Sequence, residues 1–141
     1  MIEFSPISRV SGSQQWFLKR APINVMVGTR GIVAHVKDEI YGIVVLDSWT
    51  ENSCQIHVAI DRPICLKYGF WDEVCRYVFL ESGRGIIYGI TPEDNHKALK
   101  FNAHIGLQEL YRLKDAYAIG IDMIVQEFRK EDYEQISSRA A

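Results

Sequence analysis

The stretch "GIIYGITPEDNHKALKFNAHIGL", residues 85–107, decides the fold. Its first third is apolar and rich in isoleucine, the composition of a buried strand. Thr91-Pro92-Glu93-Asp94 then supplies turn residues and stops the strand. Asn95 follows, and asparagine is among the best helix N-caps because its short side chain accepts from an otherwise unpaired N–H of the first turn. Ala98, Phe101 and Ile105 recur at the spacing of one helical face, and Gly106 suits the left-handed residue that ends a helix. A strand therefore feeds a helix through a tight turn. Asn95 and Asn102 are polar side chains at this join, where they hold either a ligand or the fold itself.

Working outward, "FWDEVCRYVFLES" (70–82) sets Phe70, Val74 and Tyr77 at helical spacing, with Trp71, Cys75 and Val78 beside them and Gly83 as a stop. Ahead of it, "CQIHVAI" (54–60) reads as a strand with Cys54, Ile56 and Val58 on one side and Gln55, His57 and Ala59 on the other. "DRPICLKYG" (61–69) is neither strand nor helix throughout, because Pro63 and Gly69 interrupt it. "GIVAHVKDEIYGIVVLDSWT" (31–50) makes a hairpin about Lys37-Asp38-Glu39. "QQWFLKRAPI" (14–23) makes a short helix that stops before Pro22. Downstream, "LQELYRLKD" and "GIDMIVQEFRK" form a second antiparallel pair joined between Asp115 and Gly120, and the terminal "EDYEQISSRAA" is expected to fray. This order describes an α/β fold. Antiparallel edges flank one βαβ crossover, and helices pack on the sheet.

The bulk numbers narrow the function. The 141 residues suit one compact domain spanning 1–141. A net charge of −2 lacks the basic footprint needed to neutralise phosphates, so nucleic acid is not an expected partner. No run of eighteen apolar residues occurs, so neither a spanning helix nor a membrane partner is expected. The opening "MIEFSPISRVSGSQQW" lacks the charged start and apolar core of a signal peptide. Cys54, Cys65 and Cys75 are odd in number and show no CxxC spacing. They read as free thiols of a reducing, cytoplasmic compartment rather than as disulfides or a zinc site.

These features together resemble the GNAT acyltransferase family. The motif that carries the resemblance is a strand, then Asn95, a small residue three on at Ala98, and a helix ending in Gly106. Leu107 stands where the family prefers Phe. The order of elements from about Gly31 to Lys130 matches as well, and the stretch "DSWTENSCQIHVAI" is similar to small phage-encoded members. The resemblance implies a GNAT-like mixed, mostly antiparallel sheet with helices on both faces and a splayed pair of parallel strands, "CQIHVAI" and "RGIIYGI". It implies acetyl-CoA as cosubstrate. The pantetheine arm would enter the gap and pair as an added strand with the backbone of Val58, Ala59 and Ile60. Asn95, Ala98 and Phe101 would border that arm. The pyrophosphate would rest on backbone N–H groups where "DRPICLKYGFW" enters the next helix. Members usually show a basic residue, two spacers and then Gly-x-Gly or Gly-x-Ala there, whereas this chain offers Arg62, Lys67 and the single Gly69. Arg62 reads almost equally well as an ordinary loop cation. Many members also place a Tyr seven residues after the Asn, to protonate the departing thiolate. Here that position is Asn102, an amide with no useful proton to give.

Acetyl transfer to an amine needs a deprotonated nucleophile, a polarised thioester carbonyl and an exit for the thiolate. The backbone N–H of Val58 is the candidate for polarising the carbonyl. Ser53-Cys54-Gln55 offers no carboxylate, so Glu51 and His57 are the candidate bases, the second because imidazole as a residue type titrates near neutrality. Both also read as ordinary structural or solvated residues. Cys54 and His57 fall on opposite strand faces and do not make a nucleophile–base pair. Tyr111 and Tyr41 are candidates to replace the missing acid, and Asn102 has a helical position from which it can face the gap that Asn95 opens. Two functions remain open. One is an acetyltransferase moving an acetyl group from acetyl-CoA to a small-molecule or protein amine by direct attack. The other is a non-catalytic CoA-binding or structural protein that retains the fold. A homodimer is compatible with both.

Overall fold

The computed structural model describes residues 1–21, 23 and 28–140, the last three by backbone alone. Seven strands form one sheet in the order β1-β2-β3-β4-β5-β7-β6. They are β1 (Glu3–Pro6), β2 (Arg30–Val36), β3 (Glu39–Asp47), β4 (Ser53–Ile60), β5 (Ile86–Pro92), β6 (Gln108–Ala118) and β7 (Ile121–Arg129). Every neighbouring pair is antiparallel except β4 and β5. Both expected hairpins are present, and Lys37 takes a left-handed φ of 53° in the first. The second is longer than its sequence suggested. β6 runs on past Asp115 to Ala118 and turns at Ile119-Gly120. β1 has four residues, too few to show a period.

The helices are α1 (Ser13–Leu18), α2 (Ile64–Lys67), α3 (Phe70–Cys75), α4 (His96–His104) and α5 (Lys130–Ala140). The stop expected at Pro22 lies outside the described residues. α2 is one turn within the segment read as irregular; Pro63 precedes it with φ −59°, already helical. α3 continues into a π-helical turn, Arg76–Glu81. That wider turn rotates the face expected from a 3.6-residue period. Val78 and Phe79 go inward, Tyr77 is half-buried and Leu80 stays 58% exposed.

The alternation along β4 sorts two cores. On one face Cys54 and Ile56, with Val58 and Ile60, meet Phe70, Val74, Cys75, Val78 and Phe79, together with Ile105 and Phe128. On the other face Ala59 joins Val33, Ile43, Val45 and Phe17 of α1. Each fully buried aliphatic or aromatic side chain adds about 1.5–3 kcal/mol relative to exposure. Helices therefore cover both faces, α1 on one side and α3, α4 and α5 on the other. The start of the stretch expected to fray is anchored. Arg129 N donates to Asp132 Oδ2 at 2.9 Å, the Tyr133 ring lies 5.7 Å from Phe79, and its hydroxyl donates to Asp72 Oδ1 at 2.9 Å.

Candidate functional site

The site begins where a ladder ends. β4 and β5 pair only at Ser53↔Ile86, Cys54↔Ile87 and Gln55↔Tyr88. Both strands continue, β4 to Ile60 and β5 to Pro92, each held on its outer side by β3 or β7. Between them the pairing has stopped, so β4 presents backbone groups with no strand partner from Ile56 onward. Gly89 lies just past the split; a Cβ there would touch Ile56 at 3.5 Å and Leu107 at 3.8 Å, so these side chains close the base of the gap on the α4 face. Val58, Ala59 and Ile60 line the open stretch of β4, paired with β3 alone.

α4 meets the other lip. Asn95 caps it, Oδ1 accepting from Ala98 N at 3.2 Å, so its carbonyl serves the helix as the N-cap pattern predicts. Ala98 and Phe101 are half-buried. Asn102 is only 7% exposed, and its Nδ2 donates to Gln126 Oε1 on β7 at 2.9 Å and to Thr91 Oγ1 on β5 at 3.4 Å. The fold fastens this amide to β5 and β7 rather than leaving it free for a ligand in the gap.

Beyond β4, Arg62 is ion-paired with Glu39 and lies 5.1 Å over the Tyr41 ring. Lys67 is exposed at the end of α2 and makes no ion pair among the described residues. Gly69 precedes α3 with φ 97°, a conformation that disfavours any side chain, and a Cβ there would meet nothing within 4 Å. The first turn of α3 has the free N–H groups of any helix start, but it also carries Asp72 and Glu73. Tyr133 and Arg76 partner those two carboxylates.

The other candidates are spread widely. Glu51 is exposed in the β3–β4 loop, at the closed end of the parallel pair. β4 starts at Ser53, and His57 lies roughly 13 Å further along it at ~3.3 Å per residue. Tyr111 is 56% exposed on β6, three strands from β4 and so at least roughly 14 Å away at ~4.8 Å per strand. His57 alone of these stands at the gap, two residues past the last parallel pair. Its Nε2 is 2.8 Å from Asp47 Oδ1. Reasoning from sequence missed Asp47. The register Asp47↔Gln55 was its signal, legible only once the β3–β4 loop length is fixed. Cys54 is buried on the opposite face, and burial pushes its thiol up to about 12, leaving it protonated and unreactive.

No family model matches the chain, and no curated protein matches it by sequence. Solved structures do match. The spermidine/spermine N-acetyltransferase SpeG of Vibrio cholerae aligns with a TM-score of 0.75 at 13% identity, over 96% of this chain and 96% of that one. An acetyltransferase assigned to the GNAT family from Desulfovibrio desulfuricans aligns at 0.67 and 16% identity, over 92% and 99%. The smu.2055 protein of Streptococcus mutans aligns at 0.70 and 16%, over 90% and 98%. At these identities the likeness establishes the fold, which is that of the GNAT acetyltransferases. Among the described residues no helix is long and apolar enough to cross a membrane.

Proposed function

We propose that the chain is an acetyl-CoA-dependent N-acetyltransferase acting on an amine. The observation that carries this reading is the early end of the β4–β5 ladder after Gln55 and Tyr88 while both strands run on. A gap of that kind leaves the backbone groups on the open side of β4, along Val58–Ile60, for an extended ligand with amide groups, which pantetheine is; the groups of Val58 and Ile60 face the gap, while those of Ala59 between them turn to Ile43 of β3. Bound there, acetyl-CoA would supply an activated acetyl group. The chain would supply the N–H that polarises its carbonyl, with Val58 the candidate, and Lys67, exposed and unpaired among the described residues, as a cation for its phosphates. Buried free thiols suit a reducing, cytoplasmic setting.

A second reading, a CoA-binding protein without chemistry, draws support from Asn102. Its amide has no proton to give and is committed to Gln126 and Thr91. Native mass spectrometry with acetyl-CoA, followed by a panel of amines read for free CoA thiol, separates the two. A bound mass with amine-dependent thiol release supports the enzyme. A bound mass without release from any amine leaves the non-catalytic reading, and no bound mass at millimolar acetyl-CoA removes both.

A further inference from the structure

The two histidines of the sheet are bonded differently. His35 is 8% exposed and both ring nitrogens are used: Nε2 bonds Ser5 Oγ at 2.8 Å and Nδ1 bonds Lys37 O at 2.8 Å. That is a histidine satisfied by its fold. His57, with an 18% exposed side chain, bonds Asp47 Oδ1 through Nε2 at 2.8 Å, and its Nδ1 has no hydrogen-bond partner among the described residues. A carboxylate only accepts, so Nε2 carries the proton of that bond and Nδ1 of the neutral ring keeps its lone pair. The pair thus fixes both the tautomer and the ring plane.

Its place in the sheet matters as much as its bonding. His57 faces the α1 side, beside Val45 and one step from Asp47. Register carries a polar row across this face, Asp47, Gln55, Tyr88 and Glu127 on β3, β4, β5 and β7. Within this row Glu127 pairs with Arg129 at 2.9 Å, and Asp47, on the strand next to His57, bonds its ring. α1 packs over β2 to β4 with Trp16 and Phe17, and Arg20, just after the helix, is paired with Asp61. Past β4 the same face carries half-buried Tyr88, Ile90, Met123 and Val125, which belong to neither core cluster. Among the described residues this is the face that His57 shares, so an acceptor meeting its Nδ1 would lie across the sheet from α3 and α4.

We propose that His57 is the base that deprotonates the acceptor amine and that Asp47 is its positioning residue. This rests on the acetyltransferase reading above. His57 Nδ1 takes one proton from the substrate ammonium. The freed amine nitrogen forms a bond to the thioester carbonyl carbon, the carbon–sulfur bond breaks, and sulfur leaves with the electron pair. The new amide sheds its second proton, the thiolate gains one, and His57 releases its own to water. The balance is one amide, one CoA thiol and one proton released.

The test compares the wild-type chain with His57→Gln, Asp47→Asn and Asp47→Glu on alkylamines, spermidine among them, and on arylamines, which are already unprotonated at neutral pH. Acetyl-CoA binding and thermal melting serve as fold controls. His57→Gln should lower kcat/KM for alkylamines by about 10²–10⁴-fold, the usual worth of acid–base help, with a loss at least roughly tenfold smaller for arylamines. Asp47→Asn should lower it in the same selective sense, and Asp47→Glu should recover part. A loss equal for both amine classes, or no loss in folded variants, overturns the pair while leaving the acetyltransferase reading standing. If His57→Gln fails to melt cooperatively, His57→Asn and the Asp47 variants decide by the same criterion. No turnover by the wild-type chain on any amine, with acetyl-CoA bound, overturns both.

Discussion

Asn102 offers the sharpest test of what the polar residues of α4 do. Asn102→Leu keeps roughly the same volume and removes the amide that donates to Gln126 and Thr91. Gln126 is 5% exposed, so its Oε1 loses its partner where water cannot easily replace it. An orphaned buried acceptor costs about 1–3 kcal/mol. At roughly 4 °C per kcal/mol for a domain of this size, melting should fall by roughly 4–12 °C. Gln126→Leu should cost a comparable amount. The double variant removes both ends of the bond and leaves two apolar side chains in contact, so it should lose less than the sum by about 1–2 kcal/mol. Urea melts of the four proteins at one pH read this directly. Additive losses would refute the network. The same geometry governs Asn102→Tyr, which would install the acid that the resemblance implies at this position. A larger side chain in a site only 7% exposed overpacks it, at a cost of about 1–3 kcal/mol. Turnover that rises in a Tyr variant of undiminished stability would contradict this account.

Lys67→Ala should weaken CoA more than phosphate-free pantetheine, because Lys67 is exposed and makes no ion pair among the described residues, whereas Arg62 is engaged by Glu39; isothermal titration showing equal losses for both ligands would remove the phosphate role. Alkali should destabilise the chain through its thiols: burial pushes Cys54 from an ordinary 9.0 up to about 12 and Cys65 up to about 11, so the unfolded chain ionises first. Stability from these groups is therefore whole below about pH 9 and declines as pH rises through that window, by at most about 1.36 kcal/mol per pH unit for each thiol; Cys54→Ala and Cys65→Ala should flatten the decline, and an unchanged slope refutes it. Tyr133→Ala should cost about 2 kcal/mol, below the roughly 3–5 of a fully buried aromatic, and hydrogen exchange should accelerate across residues 130–140 before the sheet changes.

The centre of the fold was readable because its residues declare themselves locally. Isoleucine-rich "GIIYGI", the Asn95 cap and the Gly106 stop each act within a few residues, and the structure keeps all three; the turn expected from Thr91 begins only at Glu93, because Thr91 and Pro92 still pair with Ile124 and Met123 of β7. What was not readable depends on distant partners or on small departures from a period. The π turn after Cys75 moves Phe79 inward by lengthening one turn, a change that no 3.6-residue pattern contains. α5 is held by Tyr133 against Phe79 and Asp72, residues over fifty positions earlier, while its own composition is that of a solvated tail. The site divides in the same way. Asn95 as a cap follows from its neighbours, but the partner of Asn102 is Gln126 on a strand not yet formed when the helix is read. Asp47 escaped notice because a one-residue change in the β3–β4 loop would have put it on the other face.

The two asparagines can now be given a common physical role, and it bears on why a gap exists at all. Asn95 spends its carbonyl on the first turn of α4. Asn102, near the other end, ties the helix to Thr91 of β5 and Gln126 of β7. β5 is in turn laddered to β7 as far as Pro92. Helix, β5 and β7 are thus joined by directional bonds into one body. β4 is laddered to β3 up to Ile60 and belongs to the other. Beyond Gln55, Ile56 of β4 lies beside Gly89 of β5 and Leu107 after α4, and contacts of such residues are apolar and non-directional. Such contacts close the base of the split without demanding that the strands stay parallel above it. A polar bond from α4 to β4 would pull the lips together. The placement of Asn102 away from β4 therefore serves the gap even if the side chain never touches a ligand, and a substitution that freed its amide to reach β4 would be expected to narrow the site.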